Sequence, residues 1–194
     1  MQQFSAGNKV IGYVHIWALS RSSNELISYQ TLIDSLAQCD GLILDLRNSF
    51  GFLDRDHFGL FQATEPRLEI TAPPDWLASW QQSASAMEIE AFRKPVAVLI
   101  NEHTQGGPEV LAHELAKPQR IVTLGSNTKG ELGIFSLEND NTIHYQPFQE
   151  TLIDGTSMES TGLQPEYLLE FPASESRRDD PQFNESINLL LGII

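Results

Sequence analysis

Two short glycine-containing loops carry the residues of this sequence that are best suited to chemistry. The first loop, NSFGF, covers residues 48 to 52, and the second, EHTQGGPE, covers residues 102 to 109. Gly106 and Gly107 stand directly before a predicted helix start, where backbone N–H groups without shielding side chains can bind an anion or an oxyanion. Gly51 can supply a further N–H group from the first loop. The alternative is that these glycines only permit tight turns.

Side chains in and near the two loops offer two further kinds of chemistry. His103 with Glu109 or His113 is a candidate acid-base or metal-binding pair. However, the five histidines show no HExxH spacing, and the GxSxG and GxxxxGK[ST] motifs are absent from the sequence. We therefore expect neither a metal site nor a cofactor. The candidate nucleophiles are the hydroxyl groups of Ser49, Thr104 and Ser126.

Short apolar runs that alternate with helical patterns predict the elements that position these loops. The predicted strands cover residues 10 to 19, 41 to 47, 95 to 101, 120 to 125, 142 to 148 and 166 to 171. The predicted helices cover Leu26 to Leu36 and residues 52 to 61, and two more begin at Pro108 and after Asp180. This alternation predicts an α/β fold with a mostly parallel sheet. Both loops then follow the carboxyl ends of strands, where functional groups of such folds collect.

Composition and charge restrict the partners of the chain. The 194 residues include 12 Lys+Arg and 26 Asp+Glu, which gives a formal net charge of −14. Such a surface repels nucleic-acid backbones and anionic membranes, so we expect neither as a partner. No apolar stretch reaches the roughly 20 residues of a spanning helix, and we expect no membrane span. The segment MQQFSAGNKV lacks the features of a signal peptide, which leaves the compartment open.

We expect a single domain over residues 1 to 194 with one irregular excursion at about residues 62 to 93. The excursion contains three prolines, and its possible helix carries Trp76 and Trp80. It fits the alternation of strands and helices least well. We interpret it as a flap or a contact surface, and self-association through residues 66 to 92 is one hypothesis.

The loops and their flanking elements resemble the C-terminal processing, or tail-specific, serine peptidases. GLILDLRNSFGF is similar to the family's GLILDLRNNPGG, and KPVAVLINEHTQGGPEVLAHEL is similar to KPVVVLVNEGTASASEILAGAL. RIVTLGSNTKGELG resembles RAVLVGEKTFGKG, and two later segments, GLQPEYLLEF and DDPQFNESINLLL, resemble GIxPDIxV and DxQLxxAL. The resemblance implies a ClpP/crotonase-like core of repeated strand-strand-helix units with a mostly parallel sheet. Members of this family are often exported.

The same resemblance implies a serine–lysine dyad, but it places Gly106 at the position of the nucleophile. Lys129 is the only candidate base, and its placement is open because the loop from Gly125 to Gly130 is interpreted as about two residues shorter than the family's. The N–H groups of Gly51 and Gly107 are the expected oxyanion-binding pair, with Gly106 beside them. The residues expected to line the cleft are Phe52, His103, Thr104 and Gln105.

We therefore expect a catalytically inactive or impaired homologue that binds a peptide or a small molecule in a retained cleft. No segment resembling the family's peptide-binding PDZ module is recognised, which also counts against processive proteolysis. The retinoid-binding repeats of the interphotoreceptor retinoid-binding protein resemble these peptidases and act as carriers. Two alternatives stay open, namely an active serine-type hydrolase with a relocated nucleophile and a scaffold or assembly module.

Overall fold

The structure of the protein, a computed structural model, describes residues 2–19, 23–51, 55–61, 91–132, 134–137, 143–146, 158–171 and 179–194. Its strands are β1 (Gln2–Ala6), β2 (Lys9–His15), β3 (Ala18–Leu19), β4 (Gly41–Asp45), β5 (Phe50–Gly51), β6 (Val96–Ile100), β7 (Ile121–Gly125), β8 (Ile134–Leu137), β9 (Ile143–Gln146) and β10 (Tyr167–Leu168). Its helices are α1 (Ser23–Ser35), α2 (Arg55–Gly59), α3 (Gly107–Leu115) and α4 (Pro181–Ile193).

Six of these strands form one sheet in the order β1-β2-β4-β6-β7-β10. Every neighbouring pair is parallel except β1 with β2. All residues of β4, β6 and β7 are buried, as the apolar runs of these strands predict for a sheet covered on both faces. The prediction of an α/β fold with a mostly parallel sheet is confirmed.

Alternate residues of the central strands belong to two separate hydrophobic cores. Leu42 and Leu44 of β4 face the core that includes residues of α1, α2 and α3. Ile43, between them, faces the second core, in which Leu190 of α4 is buried. Each core therefore lies between one face of the sheet and the helical residues packed on that face. Because side chains alternate between the two faces of a strand, neighbouring residues belong to different cores.

The amino-terminal part of the sheet differs from the prediction. The sequence reasoning assigned no strand to residues 2 to 6, yet β1 pairs with β2 through a two-residue turn at Gly7 and Asn8. The φ angle of Gly7 is +65°, which suits a glycine at the first central position of a hairpin turn. The predicted strand over residues 10 to 19 is also divided, because β2 ends at His15 and β3 pairs with β5 instead.

Several other predicted elements are shorter in the structure or fall outside it. The predicted helix over residues 52 to 61 is confirmed only as α2, and the predicted strands over 142 to 148 and 166 to 171 correspond to β9 and β10. Of the excursion, residues 62 to 90 lie outside the described residues, so the single-domain and self-association hypotheses stay predictions. Among the described helices, none combines the length and the apolar character needed to cross a bilayer.

A buried ion pair fastens the carboxyl end of β4 to the start of α4. The Nε and Nη2 atoms of Arg47 donate to the Oδ1 and Oδ2 atoms of Asp45 at 2.9 and 2.6 Å. The Nη1 atom of the same arginine lies 2.8 Å from Oδ2 of Asp180. Asp180 is also the N-cap of α4, because its Oδ1 atom accepts from the N–H group of Phe183 at 2.9 Å. One aspartate thus joins the helix start to the sheet.

The two roles of Asp180 can be separated by substitution. Asp180→Ala removes both the cap acceptor and the ion pair, and we expect it to lower the free energy of unfolding by about 1 to 2 kcal/mol. Asp180→Asn keeps a cap oxygen and removes only the charge, so we expect less than half of that loss. Urea unfolding followed by circular dichroism measures both values. Equal losses in the two variants would contradict a dominant role for the cap.

Candidate functional site

The two loops singled out in the sequence lie against each other at the carboxyl edge of the sheet. They follow β4 and β6, which are parallel neighbours. The N–H group of Gln105 donates to the carbonyl of Ser49 at 2.9 Å. The side-chain oxygen of Asn101 accepts from the N–H group of Asn48 at 2.9 Å. The first loop is therefore fixed to the second by main-chain and side-chain hydrogen bonds.

Gly106 and Gly51 are in direct contact across the two loops. A Cβ atom at Gly106 would lie 3.0 Å from the carbonyl oxygen of Gly51 and 3.9 Å from its nitrogen. Gly106 is the N-cap of α3, with φ +72° and ψ −131°. Gly51 has φ +119°, and a Cβ atom there would lie 2.1 Å from the carbonyl oxygen of Leu19. Both backbone conformations therefore favour glycine.

A buried carboxylate that the sequence reasoning used only as a possible partner for His103 holds this site together. Glu109 on α3 is 0% exposed. Its Oε1 atom accepts from the Thr128 hydroxyl at 2.5 Å and from the N–H group of Gly130 at 2.6 Å. Its Oε2 atom accepts from the N–H groups of Gly106 at 3.0 Å and Glu131 at 3.2 Å. One side chain thus joins the helix start to the segment after β7.

Burial and hydrogen bonding act on the Glu109 carboxylate in opposite directions. Burial disfavours the charged form and raises the pKa of Glu109 above its usual range. The four donors favour the charged form and oppose this shift. A sequence signal for the arrangement existed, because a glutamate three residues after an N-cap commonly reaches back to the N-cap N–H group.

Lys129, the candidate base, is bound to the second loop by its backbone, and its ammonium group lies near Glu131. Its N–H group donates to the carbonyl of Thr104 at 3.0 Å. The side chain is 42% exposed, and its Nζ atom lies 3.6 Å from Oε1 of Glu131. The residue that meets Gly106 from this segment is Glu131, whose carbonyl oxygen would lie 3.9 Å from a Gly106 Cβ atom.

The three candidate nucleophiles each donate a hydrogen bond to an oxygen of the protein. The Thr104 hydroxyl is buried and donates to the carbonyl of Leu46 at 2.8 Å. The Ser49 hydroxyl is also buried and donates to the carbonyl of Ile16. The hydroxyl of Ser126 donates to Oε2 of Glu102 at 2.8 Å. In Thr104 and Ser49 the hydroxyl therefore has a structural role in holding the loops.

The remaining predicted cleft residues are placed differently. His103 is exposed, and its Nε2 atom lies 3.8 Å from Oε1 of Glu102, whereas Glu109 is engaged by the four donors described above. The pKa of Glu102 is lowered, because its carboxylate accepts hydrogen bonds from the backbone N–H group of Glu102 itself and from Ser126. Gln105 is partly buried between the loops, and Phe52 lies outside the described residues.

The role of Glu109 can be tested through the pH dependence of stability. Glu109→Gln places an NH2 group against two N–H donors, and we expect the free energy of unfolding to fall by about 1 to 3 kcal/mol. Because the folded-state pKa of Glu109 is raised, its contribution to stability is complete below the ordinary glutamate pKa and is lost as pH rises through the raised value. The difference between wild type and variant should therefore shrink as the pH rises from the ordinary glutamate pKa through the neutral range.

Urea unfolding across that pH range measures this difference. Glu131→Gln is the matched control, because the Glu131 side chain is 30% exposed and its ion pair with Lys129 is long. We expect this control to change stability by less than about 1 kcal/mol. A difference for Glu109→Gln that grows with rising pH would show that the four donors outweigh burial.

Sequence comparison assigns most of the described chain to one family profile. The profile of peptidase family S41 matches residues 10–169. The carboxyl-terminal-processing protease of Synechocystis sp. is 25% identical over 195 residues, an alignment that covers 94% of this chain and 44% of the relative. The chain therefore spans less than half the length of this curated relative.

Comparison with solved structures agrees with the fold. The photosystem II D1 C-terminal processing protease matches with a TM-score of 0.57 and 22% identity over 83% of this chain and 42% of the other. The tricorn protease matches with a TM-score of 0.67 and 20% identity over 94% of this chain and 18% of the other. At these identities the likeness concerns the fold alone.

Proposed function

Because this chain belongs to peptidase family S41, we propose that it is a catalytically inactive or impaired member whose retained cleft binds a peptide or a small molecule. The observation that carries this proposal is Gly106 at the position of the family's nucleophile. A residue without a side chain cannot attack a peptide carbonyl. The surrounding loops nevertheless keep a defined geometry, since Gly51, Gly106 and Glu109 are fixed by contacts and hydrogen bonds.

The lysine positions of the family motif support the same proposal. RIVTLGSNTKGE aligns without a gap to the family's RAVLVGEKTFGK, and the identical positions include Arg120, Gly125, Thr128 and Gly130. The two lysines of the family motif then align with Asn127 and Glu131 of this chain. This alignment needs no shortened loop between Gly125 and Gly130. A carboxylate at position 131 cannot replace an ammonium group that loses and regains a proton at neutral pH.

The main-chain donors support a retained binding function. The nitrogen of Gly51 would lie 3.9 Å from a Cβ atom at Gly106. Gly107 is the first residue of α3, where N–H groups lack partners within the helix. The amides of Gly51 and Gly107 therefore border the space that a nucleophile would occupy. A ligand with a carbonyl or carboxylate oxygen suits this space.

The absence of catalysis gives a direct test. Wild type and Gly106→Ser should both leave an unstructured peptide and a peptide with an apolar carboxyl-terminal tail intact, because a serine alone restores no base. The strain of an L residue at φ +72° should also lower the stability of Gly106→Ser by about 1 to 2 kcal/mol. Peptide cleavage followed by mass spectrometry, labelling with a fluorophosphonate probe and urea unfolding measure these outcomes.

Gly7→Ala is the matched control for the backbone strain. Gly7 has a similar φ of +65°, and a Cβ atom there meets nothing within 4 Å. Turnover by wild type that Lys129→Ala abolishes would contradict the proposal. Labelling of Ser126, Ser49 or Thr104 would favour a relocated nucleophile instead, and robust proteolysis by Gly106→Ser would show that the rest of the machinery is intact.

Ligand binding is tested separately by nuclear magnetic resonance. We expect a set of unstructured peptides with free carboxyl termini to shift the amide signals of Gly51, Gly106 and Gly107. Gly106→Ala places a methyl group against Gly51 and should weaken this binding, whereas Gly7→Ala should not. Signal changes confined to other parts of the chain would contradict a ligand site between the two loops.

A further inference from the structure

An open cavity beside β10 forms a second candidate binding surface, which we name the β10 cavity. Its volume is about 510 Å³, and it includes none of the glycines of the two loops. The residues that decide its chemistry are Glu102, Ser126, Gln164, Leu168, Glu170 and Phe171. The cavity follows the carboxyl ends of β7 and β10, at the edge of the sheet where loops collect binding groups.

The lining of the β10 cavity is complementary to a cation on an apolar stem. Its charged side chains are those of Glu102 and Glu170, and no lysine, arginine or histidine lines it among the described residues. Leu168 and Phe171 add apolar surface. The side chains of lysine and arginine combine a positive head with an apolar stem, so they suit both parts of this lining. The net charge of −14 also favours the approach of basic ligands.

The backbone of β10 offers a second, independent contact. β10 is the last strand of the six-stranded sheet, and no strand of the described chain pairs with its outer edge. The N–H group of Leu169 donates inward to the carbonyl of Gly125 at 2.8 Å. Because successive residues of a strand present their amides to opposite sides, the N–H and C=O groups of Leu168 face outward. Leu168 is 59% exposed and also lines the cavity.

We propose that the outer edge of β10 binds an extended peptide segment that carries a lysine or arginine. The peptide backbone pairs with Leu168, and the cationic side chain enters the cavity lined by Glu102 and Glu170. Strand addition supplies affinity through main-chain hydrogen bonds, while the cavity selects the side chain. This site does not depend on Gly106, so it stands whether or not the cleft between the two loops binds a ligand.

Fluorescence anisotropy with three labelled decapeptides tests this proposal. The first peptide has a β-branched sequence with one central arginine, the second has citrulline in its place, and the third carries an N-methylated backbone beside the arginine. We expect citrulline to weaken binding about threefold to tenfold, and N-methylation by at least as much. Glu170→Gln should cause the same loss for the arginine peptide and little further loss for the citrulline peptide.

Asp34→Asn is the matched control, because Asp34 is exposed on α1 and lies outside the cavity. It removes one charge and should leave binding unchanged. Equal affinity for the arginine and citrulline peptides would overturn the charge recognition. If the N-methylated peptide or arginine amide alone bound as tightly as the unmodified arginine peptide, strand addition would be overturned. Peptide-induced amide shifts at Gly51 and Gly106, without shifts at Leu168 to Glu170, would place the peptide in the other cleft and overturn the β10 site.

Discussion

The buried carboxylate of Glu109 is the interaction on which the geometry of the site depends. Transfer of a carboxylate out of water is costly unless hydrogen bonds replace its hydration. Here three backbone N–H groups and one hydroxyl provide that replacement, and they belong to the helix start and to the segment after β7. The same bonds therefore lower the cost of burial and fix two parts of the chain that are about twenty residues apart.

A second buried carboxylate, that of Asp45, has a comparable structural role at the end of β4, on the same edge of the sheet. Asp45 is 0% exposed and accepts from Arg47, which also contacts Asp180 at the start of α4. The Tyr13 hydroxyl donates to Asp45 at 2.8 Å. The burial of Tyr13 and the nearby Asp45 charge raise the pKa of that hydroxyl, which keeps it a donor. The carboxyl edge of the sheet is thus held by charged side chains, although both faces are apolar.

The sequence predicts the central strands well, because β4, β6 and β7 are almost entirely apolar, a pattern typical of short strands covered on both faces. The juxtaposition of the two loops also follows from the sequence, since parallel neighbours end at one edge. Strand β1 could not be found in this way, because QQFSA contains little apolar surface and is mostly exposed. The position of the Lys129 side chain could not be predicted either, because the composition of a loop does not determine which of its residues points in a given direction. The sequence offers Glu109 only as a possible partner of His103, since a single carboxylate has no periodicity that reveals its hydrogen-bond partners.

The backbone at Gly106 has a consequence for every substitution at this position. At φ +72° every residue with a Cβ atom is strained, and that atom would also press against the carbonyl of Gly51. A chain in this conformation gains nothing in stability from a side chain at position 106. A hydroxyl group could be placed there without strain only by at least two changes together, one in the side chain and one in the loop that receives it. Each single substitution at this position should therefore give a less stable protein than glycine does.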